Sequence, residues 1–562
     1  MSADWSDATI VRLFAERAKR DAPRPALRFR RGGEWQTLRW AEVADDVRRM
    51  AAALAALGVS PGDRVAQFSP NRYEWIMADL AIQLVRAVHV PIHASLAAPQ
   101  VAYQIADCGA KLLLLAGPEQ ASSLLQHHQA HPEQGRELKL VSYDPCPIVG
   151  SEVLCLRDLL LHADEAVGQR LAREAVEQVT PDDLATILYT SGTTGEPKGV
   201  MLNQRNLASN ALGTLAAFGA QTDDLRLAWL PMSHIFARTC DVYTWLAGGG
   251  ELALAESPEA TIGNAAELHP TLINGVPYFF EKVQRYLIDQ GLAEQPGVLP
   301  AAFGGRLRAA CSGGAPLSDH VAMFYNQRGV FLGQGYGLTE SSPVISAATP
   351  AAMKLGTSGR PIPGVEVKIA GDGEILTRGP HVMMGYWNKP QATAEVLHDG
   401  WLATGDLGEL DADGFLKITG RKKELIVTSA GKNIAPAYLE SLLKADPLIE
   451  QAVVIGDRRN YLVALIVPNR AALDAHWRHR GGEPPPVEEL LTHPDILALY
   501  TERISDRLGS VSHHEQIRKF ALLERPLSAE HGEMTLTLKL RREAIHNNFA
   551  DVIERLYSGV SP

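Results

Sequence analysis

Strand-like and helix-like segments alternate along the chain, and this alternation is the feature that most constrains its fold. Between Trp40 and Leu115, segments of helical length such as "WAEVADDVRRMAAALAAL" are followed by short apolar segments such as "RVAQFS" and "AKLLLLAG". The alternation resumes between Leu225 and Ser346. Parallel strands need long connections, usually helices, and strands that are buried on both faces have continuous apolar sequences. The pattern therefore predicts an α/β fold with a largely parallel sheet covered by helices.

The second half of the chain changes character twice. Between Gly356 and Lys417 the pattern becomes short β segments joined by Asp-Gly turns, which predicts a β-rich subdomain. The charged junction "TGRKKE" (Thr419–Glu424) then precedes a compact α+β pattern. Because 562 residues exceed the usual size of one hydrophobic core, we expect a large N-terminal domain over 1–420 and a small, mobile C-terminal domain over 421–562.

Charge and composition exclude several classes of protein. The formal net charge of -11 argues against nucleic acid as the main partner, because phosphate contacts dominate that binding. No stretch approaches the roughly 18 uninterrupted apolar residues of a membrane span, and the amphipathic N-terminal segment lacks the apolar core of a signal peptide. The five cysteines are scattered without a CxxC pair, which favours a reducing compartment. A cytoplasmic location is the simplest prediction.

The segment "YTSGTTGEPKGV" (Tyr189–Val200) has the composition of a loop that holds a polyphosphate. Glycines allow backbone N–H groups to approach phosphate closely, hydroxyls donate hydrogen bonds, and a lysine supplies positive charge. The spacing is not that of a Walker A loop, and a Thr/Gly-rich surface loop is the alternative. The candidate phosphate-binding residues are Thr190, Ser191, Gly192, Thr193, Thr194, Gly195 and Lys198.

Six further motifs follow this loop. They are "LPMSHIF" (Leu230–Phe236), "SGGAPL" (Ser312–Leu317), "GQGYGLTESSPVIS" (Gly333–Ser346), "GWLATGD" (Gly400–Asp406), "ITGRKKELIVTSAGKNIAP" (Ile418–Pro436) and "GEMTLTLKLRR" (Gly532–Arg542). In this order they resemble the adenylate-forming superfamily of acyl-CoA synthetases over most of the chain, and they are most similar to its long-chain fatty acid branch. The resemblance implies an AMP-forming ligase that uses ATP and Mg²⁺ to convert a carboxylic acid to acyl-AMP. The acyl group would then pass to coenzyme A (CoA), giving acyl-CoA, AMP and pyrophosphate.

The resemblance also implies roles for residues of the N-terminal domain. Glu340 would bind Mg²⁺ together with Thr190, since Mg²⁺ favours carboxylates and phosphate oxygens. Tyr336 would pack on adenine, and Asp406, assisted by Arg421, would accept hydrogen bonds from the ribose hydroxyls. The other predicted nucleotide-binding residues are Gly313, Gly314, Ala315, Gln334, Gly335, Gly337 and Thr339. Core packing is the alternative role for Tyr336, and a helix N-terminal position is the alternative for Glu340.

Two more catalytic residues follow from the resemblance. His234, in "PMSHIF", would lie near the carboxylate and gate the acyl site, with a place in the apolar core as its alternative. Lys539, in "TLTLKLRR", would reach the carboxylate and the α-phosphate during acyl-AMP formation, although Leu536 stands where the family has proline. Arg541 and Arg542 compete for this role, and a solvated basic face is the alternative for all three.

Transfer to CoA requires that this lysine leave the site. The resemblance implies that the C-terminal domain rotates about a hinge at Lys423. Gly431 and Lys432, in "SAGKNI", would then lie on the side where the thiol arm of CoA enters. Closure of one domain on another is a known way to exclude water and assemble a site for one step at a time.

The acyl pocket is predicted to be mainly apolar, without an obvious fixed cation at depth, which favours the tail of a medium-chain or long-chain fatty acid. Gly248–Gly250 and Ala309–Ala310 would leave room for a long chain, whereas Tyr278, Phe279 and Phe280 would close the pocket to a medium one. Aryl acids remain an alternative, as do loading of a carrier protein and nucleotide binding without turnover. Peripheral contact with the inner membrane face is compatible with such a substrate. The sequence does not indicate an oligomeric state.

Overall fold

The computed structural model of the chain describes Trp5 and residues 7–130, 138–147, 153–190, 197–429, 432–479, 485–509, 511–528, 530–534 and 540–558. The helices of the N-terminal part are α1 (Ile10–Arg20), α2 (Trp40–Ala56), α3 (Tyr73–Leu84), α4 (Ala98–Cys108), α5 (Pro118–Ala130), α6 (Leu156–Leu161), α7 (Glu165–Gln178), α8 (Gln204–Phe218), α9 (Ile235–Ala237), α10 (Thr244–Gly248), α11 (Thr261–Leu268), α12 (Pro277–Asp289), α13 (Val298–Ala302), α14 (Asp319–Gln327) and α15 (Pro390–Ala394). A π-helix, Arg238–Tyr243, joins α9 to α10. The C-terminal helices are α16 (Pro436–Lys444), α17 (Arg470–His479), α18 (Val487–Thr492), α19 (Pro494–Arg507), α20 (Arg542–Asn548) and α21 (Ala550–Ser558).

The strands of the two large sheets up to residue 337 are β1 (Pro25–Arg31), β2 (Glu34–Arg39), β3 (Arg64–Phe68), β4 (Val88–Ile92), β5 (Leu112–Leu115), β6 (Lys139–Ser142), β7 (Val153–Cys155), β8 (Leu184–Thr190), β9 (Lys198–Asn203), β10 (Leu225–Ala228), β11 (Glu251–Leu254), β12 (Leu272–Gly275), β13 (Ala309–Ser312) and β14 (Leu332–Gly337). Those that follow are β15 (Val344–Ala347), β16 (Arg360–Pro361), β17 (Glu366–Ile369), β18 (Glu374–Arg378), β19 (Gly385–Tyr386), β20 (Leu397–His398), β21 (Trp401–Leu410), β22 (Leu416–Arg421), β23 (Ile426–Val427), β24 (Asn433–Ile434), β25 (Ile449–Ile455), β26 (Leu462–Pro468) and β27 (Ile517–Leu522).

Two large sheets form the N-terminal part of the described chain. One has the strand order β19-β9-β8-β4-β3-β5-β6-β7, and the other has the order β16-β15-β14-β13-β12-β10-β11-β1-β2. Strands β3 to β8 pair in parallel in the first sheet, and strands β10 to β14 do so in the second. The prediction of an α/β fold with largely parallel, helix-covered sheets is confirmed.

The strands on either side of the predicted phosphate loop pair with each other, which the sequence analysis did not predict. Strand β9 follows the loop and pairs antiparallel with β8, so that Thr190 lies opposite Lys198. The residues between the loop and α8, which begins at Gln204, were given no strand in the sequence analysis. The signal was present in the alternation of "KGVMLN", whose Val200 and Leu202 are fully buried.

A buried charge network attaches the π-helix to the first sheet. Arg238 donates hydrogen bonds to Asp79 at 2.5 and 3.2 Å and to the Thr186 hydroxyl at 2.8 Å. Tyr243 and His89 contact the same carboxylate, each at 2.9 Å. Burial opposes the charge on Asp79, but Arg238 and His89 outweigh it and lower the pKa of Asp79. Removing one partner would leave an uncompensated buried charge, so this network fixes the π-helix in place.

The second half of the chain forms smaller layers. Strands β17, β18, β20, β21 and β22 form the antiparallel, β-rich subdomain that the Asp-Gly turns predicted. Beyond it, β25, β26 and β27 form a three-stranded sheet. Residues 470–515 have a polar, helical sequence that predicts an insertion, yet they contribute buried Leu473, Leu490 and Tyr500 to the same core as that sheet. Their polarity describes only the outward faces of α17–α19. Among the described helices, none has both the length and the hydrophobicity of a transmembrane span.

Candidate functional site

A cavity of about 2210 Å³ lies between the N-terminal sheets, the β-rich subdomain and the C-terminal segments, and most of the predicted site residues line it. Those that do are Thr190, Lys198, His234, Gly313, Gly314, Gly335, Tyr336, Gly337, Thr339, Glu340, Asp406, Arg421 and Lys423. Ala315, Gln334 and Lys432 are not among the lining residues. Ser191, Gly192, Thr193, Thr194, Gly195, Gly431 and Lys539 lie outside the described residues.

Two residues off the cavity surface have clear surroundings. The Gln334 side-chain oxygen accepts a hydrogen bond from the Leu317 backbone N–H at 2.8 Å, so it holds the "SGGAPL" segment from behind. Lys432 is exposed, and its backbone pairs with Thr428 across a turn. Gln334 therefore supports a segment that lines the cavity, although Gln334 itself does not face the cavity.

Three side chains from separate strands meet at one end of the cavity. The Tyr336 hydroxyl donates to Asp406 Oδ2 at 2.8 Å, and Arg421 Nε donates to Asp406 Oδ1 at 2.8 Å. Asp406 and Arg421 are directly paired residues of β21 and β22, which explains their contact. Burial raises the pKa of Tyr336, so its hydroxyl stays a donor. A carboxylate oxygen can accept more than one hydrogen bond, so the predicted ribose hydroxyls would donate to Asp406 alongside these groups.

Glycines permit close approaches around this end of the cavity. A Cβ on Gly337 would lie 1.7 Å from the Pro343 carbonyl oxygen, which no side chain can tolerate. A Cβ on Gly313 would lie 3.0 Å from the Phe236 ring. His234 caps α9, since its Nδ1 accepts from the Phe236 N–H at 3.2 Å. The "SHIF" and "SGG" motifs are thus in direct contact, as expected if they form one wall.

Tyr386 connects the phosphate-loop lysine to the candidate metal ligand, and sequence reasoning missed it. Its hydroxyl donates to Glu340 Oε1 at 2.9 Å, and the Lys198 ammonium lies 5.0 Å from the centre of its ring. Tyr386 belongs to the two-residue strand β19, which pairs with β9 next to the loop. Burial and then Glu340 raise the pKa of Tyr386, which keeps the hydroxyl protonated. A two-residue strand has no periodicity, so no sequence signal indicated this contact.

The donor set near Glu340 fits a magnesium ion that arrives with a nucleotide. Among the described residues no group of three or more His, Cys, Asp or Glu side chains could hold a metal ion without other ligands. Glu340 and Thr190 both line the cavity. One carboxylate and one hydroxyl suffice when phosphate oxygens and water complete the octahedral shell that Mg²⁺ requires.

The junction between the domains is held on both sides of Lys423. Lys422 Nζ contacts Asp372 Oδ2 at 2.6 Å and Glu374 Oε2 at 2.9 Å in the β-rich subdomain. Lys423 itself is exposed. Glu424 faces Arg542 at 3.6 Å on the C-terminal side. The exposed Lys423, which the sequence predicts to be a hinge, therefore lies between two anchored neighbours.

The structure separates the competitors for the catalytic lysine role. Arg542 donates two hydrogen bonds to Glu440, at 2.7 and 2.8 Å, so it is committed to holding α20 against α16. Met534 and Leu540 form an isolated β-bridge, and both line the cavity together with Arg541. The two residues that flank 535–539 are therefore at the site.

We call the end of the cavity that holds Tyr336, Asp406 and Arg421 the nucleotide end, after its predicted role. From there the cavity continues into a tunnel. Strands β10, β12 and β13 line one side of the tunnel, and α8, the π-helix and α10 line the other. Its apolar lining includes Leu215, Phe218, Trp245, Gly248, Leu272, Ala309 and Val344. The prediction that Tyr278, Phe279 and Phe280 would close the tunnel is wrong. Tyr278 is exposed, and Phe279 and Phe280 pack into the core on the opposite face of the sheet.

One feature of the tunnel differs from the expectation of an uncharged interior. Arg226, on β10, lines it and lies 3.6 Å from Asp241 of the π-helix. Burial raises the pKa of Asp241 to about 6, against the opposing effect of Arg226. On β10 the neighbours Leu225 and Leu227 point to the opposite face of the sheet, which leaves Arg226 on the tunnel side.

Comparisons with known proteins agree with this geometry. The AMP-binding enzyme family matches residues 14–387, and the AMP-binding enzyme C-terminal domain matches residues 423–561. The chain is 36% identical to the long-chain-fatty-acid–CoA ligase FadD15 of Mycobacterium bovis. The alignment is 569 positions long and covers 94% of this chain and 93% of the relative.

Solved structures are similar over almost the whole chain. The anthranilate CoA ligase AuaEII in complex with anthranoyl-AMP has a TM-score of 0.79 at 20% identity, covering 98% of this chain and 99% of that one. The O-succinylbenzoate CoA synthetase MenE from Bacillus subtilis, in complex with ATP and magnesium, has a TM-score of 0.71 at 26% identity, covering 94% and 98%. The chain therefore belongs to the AMP-binding enzyme family, in the long-chain fatty acid CoA ligase branch of the adenylate-forming superfamily.

Proposed function

We propose that this protein activates a medium-chain to long-chain fatty acid with ATP and transfers the acyl group to CoA. The observation that carries the proposal is the continuity of one cavity. The Asp406–Arg421–Tyr336 cluster and Lys198 lie at one end of it, and the apolar tunnel lies at the other. A carboxylate at the junction would meet the α-phosphate of a nucleotide while its tail stays out of water.

In the first half-reaction a carboxylate oxygen attacks the α-phosphorus of ATP, and the bond to the β-phosphate breaks to release pyrophosphate. Lys198 and the hydroxyls of the loop would hold the β- and γ-phosphates, and Lys539 would contact the carboxylate and the α-phosphate. Mg²⁺, held by Glu340 and Thr190, would neutralise phosphate charge. Positioned cations and N–H donors accelerate such a step because they stabilise charge that develops in the transition state.

In the second half-reaction the CoA sulfur attacks the acyl carbonyl carbon, the thiol loses its proton, and AMP leaves. We propose that the C-terminal domain, residues 421–562, rotates about Lys423 between the two steps, with residues 1–420 as the fixed part. The anchored neighbours of Lys423 support this role, since a hinge needs rigid segments on both sides. His234 would gate the acyl tunnel, and Gly431 and Lys432 would lie where the thiol arm enters.

The experiment that tests the proposal measures pyrophosphate release with ATP and Mg²⁺ across saturated acids of increasing length, each with and without CoA. Turnover that peaks at one chain length and requires CoA supports the ligase. Pyrophosphate release without a CoA requirement would favour transfer to a carrier protein. No release with any acid would contradict the proposal.

The division of labour has its own test. Lys539→Ala should abolish acyl-AMP formation and spare thioester formation from supplied acyl-AMP, whereas Lys423→Pro should have the reverse effect. Lys432→Ala, a substitution of an exposed lysine outside the cavity lining, serves as a charge-matched comparison for the first step. Equal loss of both half-reactions in Lys539→Ala would contradict the assignment.

The place of the reaction in the cell is also a proposal. ATP and CoA are water-soluble, and a fatty acid partitions into bilayers, so we propose a cytoplasmic enzyme that contacts the inner membrane face peripherally. Recovery of the enzyme in the soluble fraction, with weak binding to vesicles, would support this location.

A further inference from the structure

Three polar side chains lie together in the wall of the acyl tunnel. Arg226 of β10 and Asn274 of β12 line the tunnel, and Asp241 of the π-helix lies directly behind them. Asn274 Nδ2 donates to Asp241 Oδ1 at 2.6 Å, and an Arg226 terminal nitrogen lies 3.6 Å from the same oxygen. We call Arg226, Asp241 and Asn274 the tunnel polar cluster.

The polar capacity of this cluster is only partly used. Asp241 is 1% exposed, and its Oδ2 has no hydrogen-bond partner among the described residues. A guanidinium carries five N–H donors, yet within the described chain the one ion pair of Arg226 is the 3.6 Å contact with Asp241. Thr214 of α8 also lines the tunnel, and its buried hydroxyl has no partner within the described chain. Of these groups the Arg226 guanidinium lines the tunnel, so its unused N–H donors point to a ligand that supplies an acceptor.

An entirely apolar acyl chain does not meet this need. It would cover the Arg226 guanidinium without bonding to it, which leaves the desolvation of that charge uncompensated. An oxygen atom on the chain would remove that cost. A site that hydrogen-bonds a substrate hydroxyl also rejects the analogue that lacks it, because its own polar groups are then left unpaired.

The strand register gives the position of this oxygen along the chain. Gly313, at the nucleotide end, directly follows β13 and lies four residues beyond Ala309, the first residue of that strand, or about 13 Å at ~3.3 Å per residue. Ala309 is level with Leu272, which is level with Arg226. Carbon–carbon bonds of ~1.52 Å that meet at ~111° advance roughly 1.25 Å each, so about ten carbons separate the two levels.

The charge of the cluster selects a neutral oxygen over a second carboxylate. Asp241 already faces Arg226, and the tunnel-lining carboxylates Asp224 and Glu251 face Arg308 and Arg28 respectively. A second carboxylate would therefore add an uncompensated negative charge in a buried place. A hydroxyl or keto oxygen can accept a hydrogen bond from the Arg226 guanidinium without adding charge.

We propose, resting on the proposed function, that the preferred substrate is a long-chain fatty acid bearing a hydroxyl or keto oxygen about ten carbons from its carboxyl group, recognised by the tunnel polar cluster. The cluster is thus a specificity site within the acyl tunnel. It acts on the tail and does not contact the reacting atoms.

The test compares kcat/KM for pyrophosphate release with octadecanoic acid and with its 2-hydroxy, 10-hydroxy and 17-hydroxy derivatives. The wild-type enzyme should prefer the 10-hydroxy acid over octadecanoic acid on the order of 10-fold to 100-fold, the range for a hydrogen bond to a charged group. The 2-hydroxy and 17-hydroxy acids should show no such gain. This series needs no variant, so a folding defect cannot obscure it.

Arg226→Met provides the second measurement, with octanoic acid as its internal control. An eight-carbon chain ends before the cluster, so the kcat/KM for each long acid is divided by that for octanoic acid, and in this ratio the advantage of the 10-hydroxy acid over octadecanoic acid should disappear. Turnover of octanoic and octadecanoic acids without any dependence on hydroxyl position would overturn this inference alone. A preference for octadecanedioic acid would overturn the choice of a neutral oxygen. No pyrophosphate with any acid would overturn the proposed function as well.

Discussion

Tyr386→Phe removes one hydroxyl and leaves the ring in place, so it isolates the contact with Glu340. The Tyr386 hydroxyl is a buried donor 2.9 Å from Glu340 Oε1, and the ring also lies under the Lys198 ammonium. A hydrogen bond to a charged group contributes about 1.5–3 kcal/mol, and losing a group that orients a metal ligand typically costs about 10–100-fold in metal affinity or activity. The two ranges agree, because a free-energy change of ~1.4 kcal/mol corresponds to a tenfold change in affinity.

The assay is pyrophosphate release as a function of Mg²⁺ concentration at fixed ATP and acid. We expect Tyr386→Phe to raise the Mg²⁺ concentration for half-maximal rate by about tenfold or more, with the KM for the acid unchanged. Tyr386→Leu should also raise the KM for ATP, because it removes the ring beneath Lys198, a contact of about 0.5–2 kcal/mol.

Tyr73→Phe is the matched control, since the Tyr73 hydroxyl donates to Asp46 away from the cavity lining. Its Mg²⁺ dependence should equal that of the wild-type enzyme. An unchanged Mg²⁺ dependence in Tyr386→Phe, or an equal shift in Tyr73→Phe, would refute the role of Tyr386 in positioning Glu340.

Three further predictions follow from the geometry. Asp406→Asn turns one carboxylate oxygen into an N–H donor, and both oxygens of Asp406 accept hydrogen bonds, from Tyr336 and from Arg421. The KM for ATP in steady-state kinetics should therefore rise by roughly 10-fold to 100-fold. An unchanged KM would contradict the assignment of Asp406 to the ribose. Gly337→Ala should destabilise the enzyme by roughly 3 kcal/mol or more in urea unfolding, because its Cβ would overlap a carbonyl oxygen, whereas Gly263→Ala, with open space around it, should not destabilise it. The hydrogen bond from Arg525 lowers the pKa of Glu533 to about 2 from its usual value near 4.5, so the stabilisation is present above pH ~4.5 and is lost as the pH falls towards 2. Thermal unfolding should therefore show Glu533→Gln less stable than wild type at pH 7, with the difference narrowing between pH 4.5 and 2; a difference that does not depend on pH would contradict this origin.

Much of the nucleotide end could be predicted from the sequence because its residues lie in short local motifs. Tyr336 and Glu340 stand near the end of β14 and just after it, where parallel strands bring their ends to one edge of a sheet. Asp406 and Arg421 meet instead because they are paired residues of the antiparallel strands β21 and β22. The roles assigned to Lys539 and to most of the phosphate loop fall outside the described residues and remain predictions.

The tunnel was harder to predict because one face of a strand lines it while the other face of the same strand packs into the core. Phe279 and Phe280 follow a tunnel-lining strand closely in sequence, yet both pack on the other side of the sheet. Arg226 stands among apolar residues, and only the alternation of β10 turns it towards the tunnel. Which face of a strand lines a cavity depends on the register of its neighbours, and that information is not local.

The amino-acid sequence by itself determined the α/β class, the order of the domains and the membership of the AMP-binding family. These properties depend on local periodicity and on motifs that can be recognised in the sequence without knowing which residues are in contact. The tertiary structure alone decided that Tyr386 joins Lys198 to Glu340 and that Arg226, Asp241 and Asn274 meet in the tunnel. These residues are separated by tens to hundreds of positions, and only strand pairing and the burial of shared faces bring them together.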